Sequence, residues 1–196
     1  MNEQPKILAF AGSLREGSYN KKLVKVAIKG AEAAGAKVTF IDLKDFPMPI
    51  LNQDEEDSQG LPENAKKLKK IMLEHDGFLI SSPEYNSSIS GVLKNFIDWT
   101  SRQETKDEPP LSCFVGKVAA LLSASPGQLG GIRGLVHLRS ILGNINVLLL
   151  PQQKCISQAH EAFNEDGTLK NNKQQKEVEK IGADLARLIT SIKSRT

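Results

Sequence analysis

Short apolar runs recur along the chain at residues 6–11, 37–42, 77–81, 117–123 and 145–150, each nearly unbroken by polar positions. A strand with one wet face would alternate, so unbroken runs point to strands covered on both faces. Between the runs, apolar positions return every three or four residues. Leu23, Val24, Ala27, Ile28 and Ala31 fall on one helical stripe, and Pro62 is placed to open a second helix that turns Ala65, Leu68, Ile71 and Met72 inward. Further helices are predicted over about 91–101, 131–142 and 172–194, the last with Val178, Ile181, Leu185, Leu188, Ile189 and Ile192 at helical spacing. Residues 43–61 break the rhythm. With Pro47, Pro49 and the acidic Asp54-Glu55-Glu56-Asp57, this stretch reads as a solvated loop. Its acids lack the alternating ligands and glycine of an EF-hand.

Strand runs alternating with helical stretches predict βαβ units and a parallel sheet. The fold class expected is α/β: a three-layer, doubly wound, flavodoxin-like arrangement of five parallel strands in the order 2-1-3-4-5, as a single domain over residues 1–196. Ligands of such sheets sit beyond the carboxyl ends of the strands, near the switch point between the first strand and the third. The glycine- and serine-rich stretches 12–20, 82–91 and 123–131 follow the first, third and fourth strands, where that rule places a site.

Composition narrows the function classes. A chain of 196 residues and 21.4 kDa, 39% hydrophobic and 25% charged, has the balance of a soluble globular protein able to bury a core. A net charge of +3 argues against an obligate nucleic-acid binder or a polybasic membrane protein. The run Lys66-Lys67-Leu68-Lys69-Lys70 reads as a solvated helix face. No apolar run approaches the roughly 18 residues of a spanning helix, and the first residues lack the layout of a signal peptide, so a cytoplasmic location is expected. Cys113 and Cys155 lie far apart without CxxC spacing and with three histidines in all, so neither a disulfide nor a metal site is expected. His75, His137 and His160 read as surface or helix residues.

The first glycine-rich stretch, Gly12-Ser13-Leu14-Arg15-Glu16-Gly17-Ser18-Tyr19-Asn20, looks like a phosphate loop but lacks the lysine that the Walker pattern sets after its second glycine. Backbone N–H groups of a tight turn and the positive end of the following helix suit an anion. Ser13, Ser18, Asn20 and the planar fork of Arg15 add donors. A terminal phosphate fits this inventory better than a triphosphate to be hydrolysed. A structural reading of the same residues has Ser18 as a helix cap and Gly12 as a turn. In the second stretch Pro83 and Gly91 bracket a loop whose Tyr85 and Asn86 offer an aromatic face and polar groups to a planar ring, or, structurally, a terminated strand and a packed tyrosine.

Taken together and in order, GSLREGSYN, PEYNSSISGVLKNFIDWTSR and SASPGQLGGIRGLVHLR resemble the NADPH-dependent FMN reductase family, which includes quinone, azo-dye and chromate reductases. The resemblance extends over nearly the whole chain. It implies FMN as cofactor and NADPH, or NADH in its place, as hydride donor. It implies that Ser13, Arg15, Ser18 and Asn20, with Tyr19 among the cofactor-binding residues, meet the FMN phosphate. Pro83, Glu84, Tyr85 and Asn86 would border the isoalloxazine, and Ser123, Ser125 and Gly127 would close the other side. A small-molecule electron acceptor, and a homodimer or homotetramer with the flavin near the subunit interface, are further implications. The helix carrying Trp99 and Arg102 is the candidate contact. Ser90 departs from the pattern, standing where proline is expected. Because the cofactor carries the chemistry, no side-chain acid or base is required. A flavodoxin-like FMN electron carrier is the alternative, against which the basic balance weighs.

Overall fold

The computed structural model describes residues 4–194. Five strands, β1 (Lys6–Ala11), β2 (Lys37–Phe40), β3 (Gly77–Ser81), β4 (Val118–Ala124) and β5 (Leu148–Ile156), form one parallel sheet in the order β2-β1-β3-β4-β5. The helices are α1 (Tyr19–Ala33), α2 (Gln53–Gln59), α3 (Glu63–Leu73), α4 (Gly91–Thr100), α5 (Ile132–Asn144), α6 (Ala159–Ala162) and α7 (Asn172–Lys193). The alternation of side chains along a strand sorts the core into two halves. Ile7 and Ala9 join Leu23, Val24 and Ala27 of α1 and Val178, Leu185 and Ile189 of α7 on one face. Leu8 and Phe10 join Leu68 and Met72 of α3, Leu93 and Phe96 of α4, and Leu135 and Leu138 of α5 on the other.

Two expectations are corrected. The fifth strand is not 145–150 but Leu148–Ile156, and its polar half, Gln152 to Lys154, carries no apolar run. This is the edge strand, where one side needs no burial. Its register against β4 shifts between Ala119 and Leu121, beside Pro151, which has no N–H for the ladder. Arg139 donates to the Leu150 carbonyl at 2.9 Å within that irregularity. The segment 43–61, expected as a loop, contains a 3₁₀ turn at Leu43–Asp45 and helix α2. Asn52 caps α2 by accepting from the Asp54 N–H, Asp54, Glu55 and Glu56 suit its positive end, and Gly60 closes it at φ 73°. No α2 residue is buried, so the helix is solvated as the acids indicated. Trp99 is only 1% exposed. Its indole N–H donates to the Pro49 carbonyl at 2.8 Å, and Arg102 pairs with Glu56 at 2.7 Å. The chain's own 43–61 excursion covers this tryptophan, so the indole faces the chain itself.

Candidate functional site

The loops after β1, β3 and β4 converge at the carboxyl ends of the strands. Gly12 N–H donates to the Ser81 carbonyl at 2.9 Å, carrying β1 into the first loop. A Cβ on Gly12 would lie 2.9 Å from Leu93 Cδ2, so the turn leaves the sheet hard against α4. Ser90 ties the first and second loops. Its hydroxyl donates to the Gly12 carbonyl at 2.6 Å and accepts from the Leu93 N–H at 3.3 Å, capping α4. The rigidity that a proline would give is here supplied by two hydrogen bonds.

Between the loops lies a cleft of about 90 Å³ lined by Ser13, Arg15, Ser18, Tyr19 and Asn20 from the first, Pro83, Glu84 and Tyr85 from the second, and Ala124, Ser125 and Pro126 from the third. Nine of the predicted residues are brought together there. Ser18 is the N-cap of α1, its hydroxyl accepting from the Lys21 N–H at 3.4 Å, so the structural reading and the site reading apply to one side chain. The first turn of α1 holds no acidic residue, which leaves its positive end open to an anion. Ser13 is buried, and its Oγ accepts from the Arg15 N–H at 3.4 Å. Arg15 is exposed and has no carboxylate partner among the described residues. Tyr19 stacks on Phe163 at 6.1 Å with ring planes 8° apart.

The second loop is a tight hairpin: Tyr85 and Ser88 exchange N–H···O bonds of 2.9 and 3.0 Å across Asn86 and Ser87. Both central residues have positive φ, 50° and 65°, as a primed two-residue turn requires. Tyr85 stays 52% exposed in the cleft wall. Helix α5 braces this hairpin, His137 Nδ1 standing 3.0 Å from the Ser88 hydroxyl. Glu84 is the stronger brace. It pairs with Arg133 at 2.5 Å and accepts from the Gly134 N–H at 3.1 Å, closing the amino end of α5. Burial alone would raise the Glu84 carboxyl, but the Arg133 and Gly134 hydrogen bonds and the guanidinium charge outweigh it and hold the carboxyl below its ordinary value.

Three predicted residues lie outside the cleft wall. Asn86 sits at the hairpin tip. Ser123 is fully buried behind the cleft, its Oγ without a hydrogen-bond partner, and lies so close to Gly131 that a Cβ there would stand 2.0 Å from it. Gly127 forms the turn beyond, donating to Ser125 Oγ at 3.2 Å. Ala124 and Pro126, inside the third stretch but not singled out in it, carry no functional group that would have marked them. Among the described residues no group of His, Cys, Asp and Glu is placed to hold a metal ion. His75 is a packing residue, bridging the Ile71 carbonyl and Thr39 at 2.7 and 2.8 Å. Burial pushes the Cys155 thiol up to about 11, so it is not a ready nucleophile.

With this geometry in place, the chain can be compared with known proteins. The model of the NADPH-dependent FMN reductase family matches residues 5–161. An NAD(P)H-dependent FMN reductase of Pseudomonas aeruginosa is 37% identical, with 88% of this chain and 89% of that protein covered. An NAD(P)H:quinone oxidoreductase of Solanum tuberosum is 33% identical over 100% of this chain and 99% of its own length. Among solved structures, the flavoenzyme NAD(P)H:(acceptor) oxidoreductase FerB from Paracoccus denitrificans superposes with a TM-score of 0.76 at 28% identity, covering 94% of this chain and 97% of that one.

Proposed function

The chain belongs to the NADPH-dependent FMN reductase family, and from that premise we propose that it binds FMN with the phosphate in the cleft at the amino end of α1, oxidises NADPH, or NADH in its place, and reduces small acceptors. The observation that carries the placement is the unpaired guanidinium of Arg15 beside Ser13, Ser18 and an unopposed helix N-terminus. Burying a phosphate there exchanges water for charge-assisted hydrogen bonds, each contributing about 1.5–3 kcal/mol. At about 90 Å³ the cleft suits the phosphate end alone and leaves the flat ring at the mouth, against Tyr85.

The chemistry supplied when FMN is bound is acceptance of a hydride from the nicotinamide and delivery of the electron pair to an acceptor. The protein's part is to hold and shield. Ser13, Arg15 and Ser18 anchor the phosphate, while the hairpin of Tyr85 to Ser88, braced by α5 through Glu84, fixes the ring's border. Arg133 is already engaged by Glu84, so a nicotinamide-side 2′-phosphate would have to share it. With one ring face available, nicotinamide and acceptor take turns, which makes the kinetics ping-pong. The mouth offers an aromatic face and small residues in place of a dedicated polar lock, so quinones are the favoured acceptors, with free flavin, azo compounds and metal oxyanions such as chromate as further candidates. No described helix is long and apolar enough to cross a membrane. A single cytoplasmic domain acting as a homodimer or homotetramer, without nucleic-acid partners, completes the proposal.

The test is the stoichiometry of NADPH oxidation by the FMN-loaded protein with a simple benzoquinone. Many turnovers per flavin support the proposal. A single stoichiometric oxidation, or none, would instead indicate an electron carrier.

A further inference from the structure

The amide of Asn20, which the sequence places on a phosphate, is engaged elsewhere. Strands β3 and β4 pair in register from Gly77↔Val118 to Ser81↔Leu122, and the Ser82 N–H donates to the Leu122 carbonyl at 2.9 Å. Continued one step, that ladder would have the Ala124 N–H donate to the Ser82 carbonyl and the Ala124 carbonyl accept from the Glu84 N–H, but β3 ends at Ser81, before Pro83, and neither bond forms. Yet β4 runs on to Ala124. On the β5 side the ladder continues through Ser125, whose N–H donates to the Ile156 carbonyl at 3.0 Å, so the polar groups of Ala124 face the side that β3 has left. Asn20 meets both of them. Its Nδ2 donates to the Ala124 carbonyl at 2.9 Å and its Oδ1 accepts from the Ala124 N–H at 2.9 Å. Oδ1 also accepts from the Ser81 hydroxyl at 2.8 Å.

A primary amide presents a donor and an acceptor side by side, as a peptide group does. The reciprocal pairing with Ala124 settles which atom is oxygen and which nitrogen. Asn20 is 3% exposed, and three of its four hydrogen-bonding positions are filled, both of those on oxygen included. We propose that Asn20 is a positioning residue and not a phosphate ligand: its side chain stands in for the strand that β3 breaks off before Pro83, and so fixes the third loop against the first before any cofactor arrives. This rests on the FMN assignment above, and it changes what loss of Asn20 should do. A phosphate ligand discriminates FMN from riboflavin. A residue that registers two walls of the cleft supports both flavins alike.

The test compares Kd for FMN and for riboflavin, by quenching of flavin fluorescence, in the wild-type protein, Asn20→Asp and Ser81→Ala. Near neutral pH the carboxylate introduced by Asn20→Asp sets an oxygen against the Ala124 carbonyl and has no hydrogen to donate. Riboflavin should then weaken about tenfold, and FMN at least as much, since the same carboxylate also repels its phosphate. Lowering the pH protonates that carboxyl and restores the missing donor, so riboflavin affinity should recover in Asn20→Asp while staying flat in the wild type. Relief of phosphate repulsion cannot produce that recovery, because riboflavin has no phosphate. Ser81→Ala removes one bond without adding charge and should give a smaller loss, equal for the two flavins, which decides the matter if Asn20→Asp does not fold by circular dichroism. Weakening of FMN alone in the folded variants, with riboflavin unchanged, would overturn the proposal and return Asn20 to the phosphate. A wild-type protein that binds neither flavin would overturn the FMN assignment itself, and the proposal with it.

Discussion

Replacing Glu84 by glutamine preserves the side chain's shape and removes its charge, which isolates the electrostatic part of the brace between the second loop and α5. The carboxylate side chain is 8% exposed and its partner Arg133 56% exposed, so the two interactions of Glu84 differ in weight. The hydrogen bond from the Gly134 N–H loses its charge assistance, part of the roughly 1.5–3 kcal/mol such a bond contributes. The Arg133 pair, wet on one side, adds no more than about 1 kcal/mol. A net loss of about 1–2 kcal/mol follows, which for a chain of this size lowers Tm by roughly 2–8 °C. The pH dependence has a definite sign. Since the folded carboxyl titrates below its ordinary value, its stabilisation is fully present above the ordinary carboxylate range, near 4.3, and is lost as pH falls through the folded value. Protonated Glu84 then resembles glutamine. Thermal melts followed by circular dichroism should show a gap between wild type and Glu84→Gln near pH 7 that closes in acid. A gap equal at both pH values, or no gap at all, would refute the assignment of the brace to charge.

Arg15→Ala should weaken FMN by about 1.5–3 kcal/mol and leave riboflavin nearly unchanged, measured by fluorescence titration; equal losses would move the arginine's role away from the phosphate. Gly182→Ala in α7 puts a Cβ 2.0 Å from the Ala27 carbonyl of α1, so an overpacking cost at the upper end of about 1–3 kcal/mol should exceed the roughly 1 kcal/mol gained in helix propensity and lower Tm. An unchanged or higher Tm would contradict the close approach of α1 and α7. Initial rates with NADPH and a benzoquinone should give parallel double-reciprocal lines, and unrelated quinones should differ by about 1–3 kcal/mol in transition-state energy. Intersecting lines would indicate a ternary complex.

The sheet order and the three convergent loops were legible because doubly covered strands leave unbroken apolar runs and because serine and glycine gather where those strands end. The features that escaped were those whose cause lies elsewhere in space. The polar half of β5 is an edge needing no burial, and α2 is polar all round, so neither leaves an apolar period. The caps of α2, Asn52 and Gly60, were nevertheless present as signals. Nothing local shows that Pro49, fifty residues earlier, covers the indole of Trp99. Asn20 is the sharpest case. Its amide suits a phosphate and a peptide group equally, and its pairing with Ala124, 104 residues away, leaves no local mark in the sequence. Ser90 shows the reverse: a local departure from the family pattern that hydrogen bonds to Gly12 and Leu93 make good.

The measurement that tests the central claim most directly is a visible absorption spectrum of the protein mixed with FMN and freed of excess ligand, taken before and after NADPH is added without oxygen. The account predicts the bands of a bound oxidised flavin, which bleach on addition of NADPH. A protein that remains colourless after exposure to FMN, or a bound flavin that NADPH leaves unbleached, would contradict it.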